Sequence, residues 1–413
     1  QSDPTQLSPY RPLRRRPYRA DGVLARAKGM TNGHARPSPP DGDCRGRPCT
    51  SGPQVEIAGE CAWFCVPSLH EGHGTFQLFT EGDELYDAMI SAIEGAEHDV
   101  EMESFIFAAD EVGRRFATAF GSDFPAFAAI RCDLELAGVE FKWFHPFRWL
   151  HPLEYIQRNH RKLLVVDGRH AFLGGFNIRR RNSRKLSGEG RQRDSHVRVS
   201  GELARVASVL FDRLWNDVTP IQPDAIPEAP TGLDALLVPS HSRHCRQRLA
   251  CLYAGLIERS RRYLLFTSPY FAPGTLVEMA LLNAAKRGVE VRLLVPRTGD
   301  PPLAGWATRA AYEPLLAAGA RVYEYLSRKL HAKASVVDGE WGVIGSANLD
   351  HLSLFVNQEL VLIARDRSLA EALRVHYEQD LQDAAQVTLP QWRLRSWRER
   401  GAEMLGRTAR RLL

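Results

Sequence analysis

Two histidines, two lysines and two asparagines recur in this sequence at one fixed offset. His160, Lys162, Asp167, Gly174 and Asn177 are matched 171 positions later by His331, Lys333, Asp338, Gly345 and Asn348. The stretches around them read HRKLLVVDGRHAFLGGFN and HAKASVVDGEWGVIGSAN. In each copy the His and Lys are two residues apart, so on a strand both side chains share one face. Apolar residues continue the strand to Asp167-Gly168 or Asp338-Gly339, turn signals from which a second strand returns to Gly174 or Gly345. The chain has only seven Lys against 47 Arg, and two of the seven stand here, which weighs against coincidence.

Brought together, such residues make a phosphate site that needs neither metal nor organic cofactor. One imidazole attacks phosphorus and forms a covalent intermediate; the other acts as general acid and then as general base. Two ammonium groups, with amide or hydroxyl donors from Asn177, Asn348 and Ser346, stabilise charge on the phosphoryl oxygens. The candidate catalytic set is therefore His160, Lys162, Asp167, His331, Lys333 and Asp338, with Asn177, Ser346 and Asn348 as candidate phosphate-binding groups. Within that set Asp167 and Asp338 stand at turns, where a carboxylate is expected to cap backbone amides rather than touch substrate. An imidazole nucleophile also needs its far nitrogen held by an acceptor. Candidates are Asp194, 34 residues beyond His160, and Glu359, 28 beyond His331.

The surrounding elements must bring the two copies into one place. Leu85, Ala88, Met89, Ala92, Ile93 and Ala96 make one face of a helix, followed by a strand from Val100 to Phe107. Leu249, Leu252, Tyr253, Leu256 and Ile257 repeat that stripe ahead of a second strand, Tyr263 to Phe271. The expected fold is α/β, with two lobes related by internal duplication, each a mixed β-sheet flanked by helices. The first lobe is placed at 75–218, a proline-rich linker at 219–232 and the second lobe at 233–388. Residues 1–55 hold Arg14-Arg15-Arg16 and much of the chain's proline, and read as a disordered basic extension. Cys44, Cys49, Cys61 and Cys65, with His70 and His73 nearby, fit no strong zinc spacing.

At 413 residues, 44% hydrophobic and 25% charged, the chain has ordinary globular composition and the length of two domains. No stretch reaches the roughly 18 uninterrupted apolar residues that span a bilayer. The net charge of +5 is uneven: residues 1–50 carry ten Lys/Arg against four acids, and 390–413 carry seven Arg against two Glu. The body between is acidic, which argues against a nucleic-acid partner and for basic ends that meet an anionic surface. Residues 389–413 read as a basic amphipathic helix in which Leu394, Trp397, Met404, Leu405 and Leu412 share a face, suited to a membrane headgroup layer.

These residues resemble the phospholipase D superfamily, whose signature is H-x-K-x4-D followed by G-[SG]-x-N. More narrowly, the chain is similar to the short bacterial cardiolipin synthases without membrane spans. The likeness covers roughly residues 75–400 and includes Arg193-Asp194-Ser195-His196, Ser268-Pro269-Tyr270-Phe271-Ala272-Pro273, Gly345-Ser346-Ala347-Asn348-Leu349-Asp350 and Asn357-Gln358-Glu359. The resemblance implies a cleft where both histidines meet, with Asp194 and Glu359 as orienting acids and His160 as nucleophile. It also implies metal-free phosphatidyl transfer to phosphatidylglycerol, with phosphatidylglycerol or phosphatidylethanolamine as donor, at the cytoplasmic face of the cell membrane. Hydrolytic phospholipase D activity and a catalytically weakened membrane scaffold are the alternatives; oligomeric state is left open.

Two departures stand out. Gly175 replaces the serine of the G-S-x-N form of the pattern, which the second copy keeps at Ser346, and the first lobe shows only Val139 to Phe144 where the second has Val289 to Pro296 and Ala320 to Tyr325. One strand is expected to be missing near residues 119–120, leaving unpaired backbone amides and a weakened first sheet.

Overall fold

A computed structural model of the chain describes residues 19–28, 75–121, 134–135, 137–144, 157–216, 234–240 and 248–410. The cysteine-rich stretch and the 219–232 linker lie outside the described residues. The first lobe supplies β1 (Arg19–Lys28), β2 (Gln77–Phe79), β3 (Asp99–Ala108), β4 (Glu140–Trp143), β5 (Leu163–Val166), β6 (His170–Gly174), β7 (Gln192–Arg193) and β8 (His196–Ser200). The second supplies β9 (Ala235–Pro239), β10 (Tyr263–Thr267), β11 (Glu290–Pro296), β12 (Arg321–Tyr325), β13 (Lys329–Leu330), β14 (Ala334–Val337), β15 (Trp341–Gly345), β16 (Leu360–Ala364) and β17 (Ala384–Val387).

The first sheet runs β2-β8-β6-β5-β3-β1-β4 and the second β17-β12-β11-β10-β14-β15-β16-β9. The duplicated hairpins are β5–β6 and β14–β15. Each turns at an Asp–Gly pair with positive φ, 52° and 60° at Asp167 and Gly168, 55° and 74° at Asp338 and Gly339. Arg169 N–H closes the first turn on Val166 O and Glu340 N–H the second on Val337 O.

The first sheet is not short of a strand. β1 comes from the segment read as disordered and lies antiparallel between β3 and β4, pairing Arg26 with Glu101 and with Glu140. It stands where β11 stands in the other lobe, although β11 is parallel to both its neighbours. The expectation of unpaired amides on β3 fails because upstream chain supplies the ladder. Side chains alternate as a two-sided strand requires. Val23 and Ala25 enter the first lobe's outer core beside Met102 and Val100, and Leu24 enters the core on the opposite face. Arg26, 6% exposed, bonds Glu101 and Asp212 and lies over the rings of Phe211 and Trp215.

Each lobe has its own outer core beneath helices: Leu85, Met89 and Phe116 over the first sheet, Leu252, Leu256 and Leu281 over the second. The inner faces of the two sheets share a third core. Leu163, Val165 and Leu173 meet Leu237, Leu360 and Leu362, with Phe211 of the helix Glu202–Trp215 and Leu373 of the helix Arg367–Gln382. This shared core fixes the two hairpins relative to one another.

The C-terminal segment is anchored on the second lobe. Trp392 is buried against Tyr312, and the helix Trp397–Ala409 packs on the helix Pro302–Ala310 through Glu403 and Gly406. Leu394, Trp397, Met404 and Leu405 point outward, 85%, 77%, 71% and 55% exposed; Leu412 lies outside the described residues. Among the described residues no helix is long and apolar enough to cross a membrane.

Candidate active site

Each His–Lys pair stands immediately before the first strand of its hairpin and is tied by backbone to the opposite lobe. His160 N–H donates to Gln358 O at 2.8 Å, and His331 N–H donates to Arg193 O at 2.7 Å, where β13 runs parallel to β7. Asn159 bridges Gln358 in the same parallel sense. These crossings place each histidine against an acid from the other half of the chain. His160 Nδ1 lies 2.9 and 3.0 Å from the two Glu359 carboxylate oxygens, and His331 Nδ1 lies 2.6 Å from Asp194 Oδ2. Both acids are buried, while the two rings keep 13% and 12% side-chain exposure. An Nδ1–H donated to a carboxylate fixes the tautomer and leaves Nε2 as the basic nitrogen.

Burial disfavours the charged form of both rings. Burial pulls His331 down to about 3, with Lys333 adding to the shift and Asp194 opposing it. Burial also lowers His160, against the pull of Glu359. Burial depresses Lys162 to about 7 and Lys333 to about 8, the neighbouring carboxylates opposing it. Burial would raise Asp194, but Lys333 and His331 outweigh it and keep the carboxyl below its ordinary value; His160 and Lys162 do the same for Glu359. Lys162 Nζ donates to His160 O at 2.5 Å, and Lys333 Nζ to His331 O, so each lysine braces the backbone beside its ring.

The two half-sites differ where the motif departs from its pattern. Ser346 Oγ donates to Glu359 Oε2 at 2.5 Å and accepts from Leu360 N–H, so its hydroxyl is committed to the acid that holds His160. At Gly175 a Cβ would lie 2.0 Å from Asp194 Oδ1. The shorter acid fills the space that a serine would take. Asn177 Oδ1 accepts from Ile106 N–H at 3.0 Å, leaving Nδ2 as its donor, whereas Asn348 Nδ2 is held by Asp350 Oδ2 at 3.1 Å.

Asp167 and Asp338 are not brought into this cluster. Asp167 accepts from the backbone N–H groups of Glu97, His98 and Asp99, and Asp338 from those of Arg261, Arg262 and Tyr263. Each sits beyond the far end of a four-residue strand, about 16 Å from its lysine along extended chain. Their inclusion in the catalytic set is corrected: they fasten the turn to the start of β3 or β10, and so set hairpin position.

Sequence reasoning missed a buried network beside His160. Asn159 Nδ2 donates to Glu103 Oε2 at 2.9 Å, and Arg161 Nη2 donates to Gln358 Oε1 at 3.3 Å, with Nη1 3.9 Å from Glu103 Oε1. Arg161 is 1% exposed, and the matching residue of the second copy is Ala332. The signal was available: period two puts residue 161 on the face opposite His160 and Lys162, and an arginine there demands a buried partner. His196 is also buried and pulled by burial to about 3; it pairs with Gly174 as Val361 pairs with Gly345.

Residues 253–381 match the model of the family described as cardiolipin synthase, phospholipase D-like domain. A cardiolipin synthase from Geobacillus kaustophilus is 31% identical over 81% of this chain and 72% of its own length. The minor cardiolipin synthase ClsB of Bacillus subtilis is 29% identical over 83% of this chain and 90% of its own. The structure is similar in fold to a phosphatidylserine synthase from Haemophilus influenzae, with a TM-score of 0.58 and 13% identity over 84% of this chain and 95% of that one.

Proposed function

The chain belongs to the cardiolipin synthases of the phospholipase D superfamily and is a phosphatidyltransferase, and we propose that it works through a phosphohistidine on His160. His160 Nε2 attacks the phosphorus of a phosphatidyl donor. The bond from phosphorus to the departing alcohol oxygen breaks as His331 gives that oxygen its Nε2 proton. In free protein burial disfavours charge on His331; the bound phosphodiester anion raises its proton affinity, and the ring takes up a proton from solvent at Nε2 before the transfer. Neutral His331 then takes the proton of a phosphatidylglycerol hydroxyl, whose oxygen displaces His160 from phosphorus to give cardiolipin. With phosphatidylglycerol as donor the other product is glycerol. Lys162, Lys333 and Asn177 oppose charge on the phosphoryl oxygens, while Glu359 and Asp194 support the charged rings in turn.

The crossed pairing of His160 with Glu359 and His331 with Asp194 carries this reading. The test is to incubate the protein with phosphatidylglycerol, alone and with phosphatidylethanolamine, and to resolve the products. Cardiolipin with glycerol, and a trapped labelled intermediate absent from His160→Asn, are expected. Phosphatidic acid as the only product would make the protein a hydrolase, and no product would leave a scaffold.

Its phospholipid substrates are met at a membrane surface, on the cytoplasmic side. The outward residues Leu394, Trp397, Met404 and Leu405 with exposed Arg398, Arg400 and Arg407 form an apolar patch set among cations, suited to an anionic headgroup layer. The patch stands at the active-site end of the second lobe. Its supporting helix Pro302–Ala310 follows the C-terminal end of β11, and Thr308 Oγ1 accepts from Phe271 N–H just past β10. Lys333 directly precedes Ala334, which pairs with Thr267 at that same end of β10.

A further inference from the structure

The first lobe is built around a slot that its own continuous chain does not fill. Thirty-one residues separate β3 from β4, against 53 between the matching strands β10 and β12, and those 53 include β11. β4 keeps the place of β12, one strand removed from β3, so the gap between them has the width of a single strand. Arg19–Lys28 occupies it along nearly its whole length, with nine residues registered on β3 and four on β4. A segment arriving from elsewhere in the chain has no connection that dictates its direction, and it takes the antiparallel ladder, the stronger pairing per residue.

The fit is specific in side chains as well as in backbone. Arg26 brings a cation to Glu101, which burial raises to about 7, and reaches Asp212 on the helix Glu202–Trp215. Val23 and Ala25 are fully buried and Leu24 is 3% exposed. The strand also borders the network beside His160. Leu24 pairs with Glu103, whose carboxylate receives Asn159 Nδ2 and faces Arg161, the residues on either side of His160.

We infer that residues 19–28 are a complementing strand: a noncovalently docked segment of this chain, exchangeable for a peptide of the same sequence, on which the first half-site depends. The slot between β3 and β4 is accordingly a binding groove for an extended segment with small apolar residues at 23 and 25 and arginine at 26. The 48 residues between β1 and β2 could span, when extended, about 160 Å. A seven-stranded sheet is about 30 Å across, so the strand reaches its own lobe without strain.

Hydrogen exchange on the full chain tests this without reference to lipid chemistry. Amides of residues 23–27 are expected to exchange as slowly as those of β5; exchange at the rate of unstructured chain would overturn the proposal. In full-length Leu24→Pro, which loses a ladder donor, protection along β3 is expected to fall about a hundredfold, with loss of transferase activity. A synthetic peptide of residues 18–29 then binds this variant saturably and restores both; the same peptide carrying proline at 24 does neither. Failure of the wild-type peptide to bind, or a Leu24→Pro protein with full activity and unchanged β3 protection, sinks the idea. Should that variant not fold, Arg26→Met replaces it, and rescue by the same peptide is required. Restoration by a second copy of the chain, seen as a dimer of the variant, would replace cis docking with exchange between copies and overturn the assignment.

Discussion

Burial disfavours charge on both rings and on both lysines, so the attraction of the free site for a phosphodiester anion depends on pH. Because burial depresses Lys162 to about 7 and Lys333 to about 8, both ammonium groups lose protons as pH rises through those values. Their attraction for phosphate is present below and lost above, so kcat/KM, which reports the free enzyme, is expected to fall between about pH 7 and 9. A pH profile that stays flat to 9 would contradict that assignment, and Lys162→Met should remove part of the alkaline limb along with most activity. Gly175 gives a second test at this scale. A serine there gives the G-S-x-N form of the second copy but drives its Cβ into Asp194. Displacing that carboxylate by about 1 Å costs the orientation of His331, and kcat is expected to drop about a hundredfold with little change in KM. Steady-state kinetics of Gly175→Ser decide it: unchanged kcat would mean that Asp194 is not the support of His331.

The helix Trp397–Ala409 packs one side on the body, and the proposed membrane contact falls to the other. Its Glu403 and Gly406 side is spent on the body and its Trp397 and Met404 side is exposed. The pair Trp397→Glu and Met404→Glu is expected to weaken binding to anionic vesicles by about tenfold or more, since each large side chain contributes roughly 1.5–3 kcal/mol on burial. Activity on short-chain dispersed phospholipid should be preserved. Equal losses on both substrates would make the helix structural only. Part of this element was legible in sequence because period 3.6 is local, but its break was not: one helix was expected over 389–413, and the chain forms Leu389–Arg393 and Trp397–Ala409 with Leu394 between them. The hairpins were legible for the same reason, since His160 to Asn177 is one uninterrupted motif. β1 was not, because a strand's worth depends on the edge it pairs with, and that edge lies about 75 residues downstream. Nor could spacing say that Asp194 serves His331 and Glu359 serves His160; the crossing is a product of how two sheets face each other.

That facing arrangement makes the molecule a single functional body although its sequence is double. Among the described residues His160 and His331 each take their carboxylate from the other half, and the inner core interleaves Leu163, Val165 and Leu173 with Leu237, Leu360 and Leu362. Buried apolar side chains at about 1.5–3 kcal/mol each, contributed from both sides, far exceed what covalent continuity adds to association at ordinary concentration. The backbone ties His160 to Gln358 and His331 to Arg193 act in the same direction. A protease site placed within 219–232 and cut after folding is therefore expected to yield two fragments that elute as one species and keep transferase activity. Heating the uncut chain should give one cooperative transition, because the shared core cannot be lost from one lobe alone. Fragments that separate on dilution to micromolar concentration, with activity disappearing in step, would show that the halves are joined chiefly by the chain between them. The crossed pairs would then form only as long as that connection holds them.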